Sequence, residues 1–193
     1  FRAVFQRLSL EVTVIDQKVT FWAAINEEFG SYWDSQFQAS YPEGVAIEQY
    51  DPMSKFYIED LKVANLVLAK PFYYPIRTYK EFSDIDPISL VLGVMSKARA
   101  EDLMMFQLVI TGAGNWRRGP ERVLQGVKQP DGTIAKVDGE SLISQKIAEN
   151  GFRAAMRLAA SSSESINSMA SAFGSLSRGD GNYLKVRKPG FIW

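Results

Sequence analysis

The sequence contains no cysteine and no histidine among its 193 residues. Without cysteine, the chain has no disulfide, no thiolate nucleophile and no zinc–sulfur site. Without histidine, it lacks the usual general base and the commonest transition-metal ligand. Any catalysis would therefore depend on carboxylates, lysines or tyrosines. The sequence places none of these in an arrangement typical of an active site. A small histidine-free enzyme is therefore the function class that the sequence favours least.

A net charge of one sign and long apolar segments are also missing. The 22 basic and 22 acidic residues cancel, so no overall field attracts nucleic acid or anionic lipid. No apolar run reaches the roughly 20 residues that span a bilayer, and no signal sequence opens the chain. Large apolar residues stand at both ends, Phe1 at the start and Trp193 at the finish. We interpret them as a sign that the chain was cut from a longer polypeptide.

The order of predicted elements indicates an α+β protein with mostly antiparallel sheets and amphipathic helices packed on one face. Strands are predicted at 8–15, 19–25, 45–50, 56–63, 103–110 and 152–160, and helices at 29–41, 87–98, 141–149 and from 161 onward. Because of Pro71 and Pro75, the segment 66–74 is predicted to be either an edge strand or an irregular crossover. This order is compatible with two ferredoxin-like halves. Residues 1–111 form the first half, 112–139 a glycine-rich basic linker, and 140–193 the second half with a basic exit segment. We expect them to form one compact unit.

Several local signals support these boundaries. Asp86 followed by Pro87 is typical of a helix start, and Ser161 to Glu164 fits a capping box. Asp131-Gly132 predicts a turn, and Asn150-Gly151 predicts a left-handed helix stop. Four aromatic residues are predicted to lie in the core: Trp22, Phe29, Trp33 and Phe37.

Nucleotide and metal motifs are absent from the sequence. There is no phosphate-binding loop and no Gly-Lys dipeptide, and Gly112-Ala113-Gly114-Asn115 lacks the third glycine of a dinucleotide-binding turn. The paired carboxylates are adjacent in sequence, so their side chains point in different directions. Asp84 and Asp86 do not indicate a metal site: Asp84 is more simply a solvated surface residue, and Asp86 caps a helix. No catalytic residue, metal ligand or cofactor is predicted for this chain.

Two basic segments beside aromatic residues remain as candidate contacts for nucleic acid or a protein partner. The first lies in the linker and comprises Trp116, Arg117, Arg118 and Arg122. The second lies in the exit segment and comprises Tyr183, Lys185, Arg187 and Lys188. Basic surface loops are more often simply solvated, which is the competing interpretation of both.

Five stretches along the chain match one family in order and spacing. The first two are Leu10-Glu11-Val12 with the strand 19–25, and 38–42 (QASYP) after the first helix. The next two are 75–79 (PIRTY) leading to Asp86-Pro87-Ile88, and 101–110 followed by Trp116. The last is 146–152 (KIAENGF) with Arg157-Leu158, then Phe173 and Asn182. In these stretches the chain resembles the domain that precedes the motor in conjugative, type IV secretion-like DNA-transfer ATPases.

The resemblance implies a non-catalytic accessory domain that docks on the motor or on the membrane channel and helps to assemble an oligomeric ring. The implied partners are its own motor domain, neighbouring subunits of a homo-oligomer, secretion-channel components and DNA. ATP and Mg²⁺ are expected only in a downstream motor domain, and the implied location is the cytoplasm, at the inner face of the cell membrane. The alternative is a free-standing module that binds single-stranded nucleic acid through Trp116 and Tyr183.

Overall fold

A computed structural model describes residues 7–47, 52–56, 59–82 and 86–188. The strands are β1 Arg7–Ile15, β2 Lys18–Ala24, β3 Lys62–Leu68, β4 Met104–Gly112, β5 Val127–Lys128, β6 Ile134–Ala135, β7 Phe152–Ala160 and β8 Leu184–Arg187. The helices are α1 Gly30–Ser40, α2 Pro87–Met95, α3 Arg118–Leu124, α4 Glu140–Ala148 and α5 Ser163–Ala172. Short 3-10 turns occupy Glu27–Phe29, Pro52–Phe56, Tyr79–Glu81 and Phe173–Leu176. The α+β class predicted from the sequence is confirmed.

Six strands form one antiparallel sheet in the order β2-β1-β4-β7-β3-β8. The remaining pair, β5 and β6, forms a small separate hairpin. Because β1, β3 and β4 come from residues 1–111 and β7 and β8 from residues 140–193, the two predicted halves share a single sheet.

The segments β3-α2-β4 and β7-α5-β8 interleave as one ferredoxin-like unit. Their strands lie in the order β4-β7-β3-β8, which is the arrangement of a split β-α-β pair. The two ferredoxin-like halves suggested by the sequence are therefore a single unit, extended at the β4 edge by the β1–β2 hairpin. The predicted linker 112–139 contains α3 and the β5–β6 hairpin, and the exit segment contains β8.

The main core lies between the sheet and the helices α2 and α5. Apolar side chains alternate along the strands and face the helices: Val12, Val14, Ala64, Leu66, Met104, Phe106, Leu158 and Ala160. The helices contribute Val91, Met95, Ile166, Met169 and Ala172, and the ring of Phe173 packs against Phe106 with centroids 4.8 Å apart. Both helices lie on the same face, as predicted. On the other face a smaller cluster joins Phe56 to Met105 and Ala159.

Several predicted boundaries are confirmed by side-chain contacts. Asp86 caps α2, since its Oδ1 accepts the backbone N–H of Ile88 at 3.1 Å, and Pro87 is the first helical residue. The turn at Asp131-Gly132 forms, with Gly132 in a left-handed conformation at φ 86°. The cap of α5 lies one residue later than predicted, because the hydroxyl of Ser162 accepts the N–H of Ser165.

Other local predictions were wrong. The strand predicted at 56–63 begins only at Lys62, since Phe56 belongs to a 3-10 turn and 57–58 lie outside the described residues. The segment 66–74 belongs to the same strand, β3, as far as Leu68 and then continues as an irregular crossover, which is one of its two predicted forms. Residues 45–47 are not in a strand, and 48–50 lie outside the described residues. Gly151 has no positive φ, and Glu149 after α4 is already extended, so α4 ends without the predicted left-handed stop.

The predicted aromatic core residues are not in the core. Trp22, Phe29, Trp33 and Phe37 are all half-buried, and α1 contains no buried residue. The periodic aromatic positions do form a helix, as their spacing predicted. Amphipathic spacing indicates a face that avoids water, but it does not say which surface covers that face.

Candidate binding surfaces

The linker tryptophan packs against the backbone at the start of β7. Trp116 follows β4, and its indole lies so close to Gly151 that a side chain at position 151 would overlap it. Both residues line an open cleft of about 380 Å³, with Gly114, Asn115, Arg117, Asn150 and Phe152. Gly151 therefore permits a close approach between two segments 35 positions apart, a role that a helix-stop interpretation does not predict.

Replacing Gly151 with alanine should destabilise the chain by about 1–3 kcal/mol, because the new methyl group must displace the indole or the backbone. The double variant Gly151→Ala/Trp116→Ala should lose at least about 1 kcal/mol less than the sum of the two single variants. Urea unfolding of all four proteins measures this coupling. Gly93→Ala is the control, since nothing lies within 4 Å of its position and helix propensity favours alanine. Additive losses would show that the two residues do not compete for space.

Arg117 of the linker 112–139 and Lys146 of α4 each donate hydrogen bonds to backbone carbonyl groups of a neighbouring segment. Arg117 Nη2 donates to the carbonyl oxygen of Glu149 at 2.9 Å, while its Nε is buried with no hydrogen-bond partner among the described residues. The Lys146 amine donates to the carbonyl oxygens of Phe72 and Tyr74. Burial lowers the pKa of Lys146, because desolvation disfavours its charged form. Both cations therefore have structural contacts.

A buried asparagine fixes the loop between β3 and residue 76 to the start of β8. Asn182 is fully buried, and its side-chain Nδ2 donates to the carbonyl oxygens of Lys70, Pro71 and Tyr74 at 3.0, 3.1 and 3.4 Å. Its Oδ1 accepts the N–H groups of Lys70 and Tyr183, each at 2.9 Å. These five hydrogen bonds give a structural role to Asn182, which the sequence singled out only through its resemblance to the family.

The remaining predicted contact residues are accessible. Arg118 and Arg122 lie exposed on α3. Tyr183, Lys185, Arg187 and Lys188 are exposed on or beside the edge strand β8. The two predicted patches lie at the same end of the sheet, since β4 ends and β8 begins there, three strand positions or about 14 Å apart. Their contact with nucleic acid or a partner stays a prediction.

The sheet face opposite α2 and α5 carries a row of polar residues that crosses all six strands. The register aligns Trp22, Glu11, Gln107, Arg157, Asn65 and Arg187. Arg7, Arg153 and Lys185 lie on the same face, because each is an even number of positions from a row residue on its own strand. The strands carry six cations on this surface: Lys18 at the start of β2, and the five that we define as the basic face, Arg7, Arg153, Arg157, Lys185 and Arg187.

Sequence reasoning found two of these five, Lys185 and Arg187, and missed the other three. The available signal was alternation: in β7 the residues Arg153 and Arg157 alternate with Ala154, Met156 and Leu158. It was not recognised because the faces of separate strands can be combined only once their register is known.

Hydrogen bonds around Glu11, the one acidic residue in the six strands of the sheet, hold the side chains of the row in place. Glu11 is only 8% exposed, and its Oε1 accepts from Ser9 Oγ at 2.7 Å and from Gln107 Nε2 at 2.8 Å. Gln107 Oε1 in turn accepts from Arg157 Nη1 at 3.1 Å. At one edge of the row, the indole N–H of Trp22 donates to Thr13 Oγ1 at 2.8 Å. The chain of bonds fixes these side chains along the sheet.

In the described ranges, no three acidic, histidine or cysteine side chains come together as metal ligands. Across the same ranges, every helix is too short or too polar to cross a lipid bilayer. No protein-family model, curated protein or solved structure matches this chain.

Proposed function

We propose that this chain is a non-catalytic accessory domain of a type IV secretion-like, conjugative DNA-transfer ATPase. In this role it docks on the motor or the membrane channel and helps to assemble an oligomeric ring. The proposal starts from the resemblance of the five sequence stretches. Several of those residues have structural roles: Phe173 packs in the core, Gly151 accommodates Trp116 and Asn182 fixes a loop.

The observation that carries the docking role is the exposed aromatic surface of α1 and the residues after it. Phe29, Trp33 and Phe37 recur every fourth residue, all half-buried. Beside them Tyr41, whose ring centroid lies 5.4 Å from that of Phe37, is 62% exposed, and Val45 and Ile47 are 80% and 71% exposed. Exposed apolar residues concentrated in one stretch of the chain are typical of an interaction site rather than of a free solvated surface. Its aromatic residues are the type that contributes most to binding energy.

The docking role predicts that the reading frame continues into a motor segment with G-x-x-x-x-G-K-[ST], and that this segment binds the present chain. In calorimetric titrations, Trp33→Ser/Phe37→Ser should weaken the affinity about tenfold or more, because two central aromatic contacts are lost. Tyr32→Ser is the matched control, since it removes one aromatic ring from another side of the same helix, and it should change the affinity less than about threefold.

Three results would contradict the proposal. They are a stop codon soon after Trp193, ATP hydrolysis by this chain alone, or an affinity that the Trp33→Ser/Phe37→Ser variant leaves unchanged. Circular dichroism of each variant shows that the fold is retained, which is expected because α1 contributes no buried residue.

The second candidate is a free-standing module that binds single-stranded nucleic acid through Trp116 and Tyr183. It is favoured by the exposure of Tyr183, which is 46% accessible beside Lys185 and Arg187. Salt distinguishes the two candidates. Phosphate-driven binding weakens steeply as ionic strength rises, whereas docking through the aromatic surface of α1 is nearly insensitive to salt.

A further inference from the structure

The charges of this chain are balanced in total but not in space. Its 22 basic and 22 acidic residues cancel, yet the strand positions on the surface of the polar row carry six cations, Lys18 and the five of the basic face, and a single acid. That acid, Glu11, is buried and already accepts two hydrogen bonds. The five cations of the basic face are all exposed, and none forms an ion pair with an acidic residue in the described ranges. The surface is therefore strongly positive.

The cations stand at defined separations, because they lie on a hydrogen-bonded sheet. Arg157 and Arg187 lie in one row on strands two positions apart, which corresponds to about 10 Å. Lys185 lies two residues before Arg187, about 7 Å along β8, and Arg153 lies four residues before Arg157, about 13 Å along β7. Such an array of fixed cations matches a polymer that carries a negative charge at each repeat.

Aromatic side chains lie at both edges of the same surface. Trp22 is half-buried on β2, and its bond to Thr13 holds the indole against β1. Tyr183 is 46% exposed immediately before β8. Between the two edges lie small or half-buried residues such as Val109 and Ala155. Aromatic rings and cations on one accessible surface are the combination that binds unpaired bases and their phosphates.

We propose that the basic face is a binding surface for single-stranded nucleic acid. Arg153, Arg157, Lys185 and Arg187 contact phosphates of one strand, and Trp22 and Tyr183 stack on unpaired bases. A duplex is a poorer ligand because its bases are already stacked on one another and offer no free face to these rings. An acidic protein segment would satisfy the cations but would leave the aromatic residues without a stacking partner. The inference does not depend on the docking role, which uses α1.

The test measures fluorescence anisotropy of a labelled 20-nucleotide oligo-dT with the full chain over a range of salt concentrations. The variant Arg157→Gln/Lys185→Gln/Arg187→Gln removes three cations from the basic face. It should bind at least tenfold more weakly, and the slope of log K against log salt should become shallower by about 2, since each phosphate contact contributes about 0.7. Trp22→Leu should weaken binding by about fivefold or more through lost stacking.

The matched control is Lys80→Gln/Lys97→Gln/Lys128→Gln, which removes the same charge from exposed positions outside the six-stranded sheet. It should change the affinity less than threefold. Equal losses in both triple variants would overturn the proposal, because net charge alone would then explain binding. Absence of oligo-dT binding, equal affinity for duplex DNA, or equal affinity for poly-glutamate would each overturn it as well. None of these outcomes affects the binding of a motor segment through α1.

Discussion

Replacing Leu158 with alanine should destabilise the entire chain by about 2–5 kcal/mol, the usual cost of removing a large buried side chain from a core. Leu158 is completely inaccessible and lies in β7, between Phe106 of β4 and Ala64 of β3. It therefore connects residues 140–193 to residues 1–111. A cavity at this position weakens the contact between both parts of the chain, so we expect them to unfold together in one transition.

The measurement is urea unfolding, followed in parallel by far-ultraviolet circular dichroism and by tryptophan fluorescence. In a Trp193→Phe background, the remaining tryptophans, Trp22, Trp33 and Trp116, all precede residue 140. Fluorescence then follows the unfolding of the part before residue 140, while circular dichroism follows the whole chain. Both signals should shift to a urea midpoint lower by about 1–2.5 M, given a slope of about 2 kcal/mol per M.

Val186→Ala serves as the control for the Leu158 variant, because Val186 faces the same side of the sheet but is 45% exposed. It should cost less than about 1 kcal/mol, since little of its apolar surface is removed from water. If the fluorescence transition stays in place while circular dichroism moves, the two parts of the chain unfold separately and the single-sheet cooperativity is wrong.

The sequence predicted those elements whose signals are local. Asp86 and Pro87 define the start of α2 within two residues, and the apolar alternation in β1 and β7 needs no knowledge of the partner strands. The α+β class follows from such signals. The strand β8 was missed because it has only four residues within a basic, glycine-containing segment. Its stability depends on pairing with β3, more than 100 positions earlier.

The candidate sites show the same division between local and distant contacts. The exposure of Arg118 and Arg122 can be predicted from the basic, glycine-rich stretch of sequence in which they lie. The contact of Trp116 with Gly151 does not, since the two segments meet only when β4 pairs with β7. The basic face depends on the register of six strands, in which a shift by one residue would turn each cation to the opposite side. The sequence alone does not determine that register.

Replacing Asn182 with alanine should cost about 3–4 kcal/mol, although the substitution removes only a small side chain. The loss arises because the partly buried N–H groups of Lys70 and Tyr183 would be left without their acceptor, and each unsatisfied group costs about 1–3 kcal/mol. Three carbonyl oxygens would also lose a donor. Asn167→Ala is the matched control, because Asn167 is exposed on α5 and should change the free energy of unfolding by less than about 0.5 kcal/mol.

Asn182→Asp separates the loss of hydrogen bonds from the loss of volume, because it keeps the shape and the acceptor but replaces the donor with a second oxygen. The introduced carboxylate would be buried against three carbonyl oxygens, so burial and repulsion raise its pKa in the folded state. A raised folded-state pKa means that the folded chain binds more protons than the unfolded chain, so stability increases as the pH falls through that pKa. Urea unfolding at pH 7 and pH 4.5 should therefore show a smaller deficit, relative to the unmodified chain, at the lower pH. A deficit that is the same at both pH values would show that the Asn182 amide does not donate to the loop.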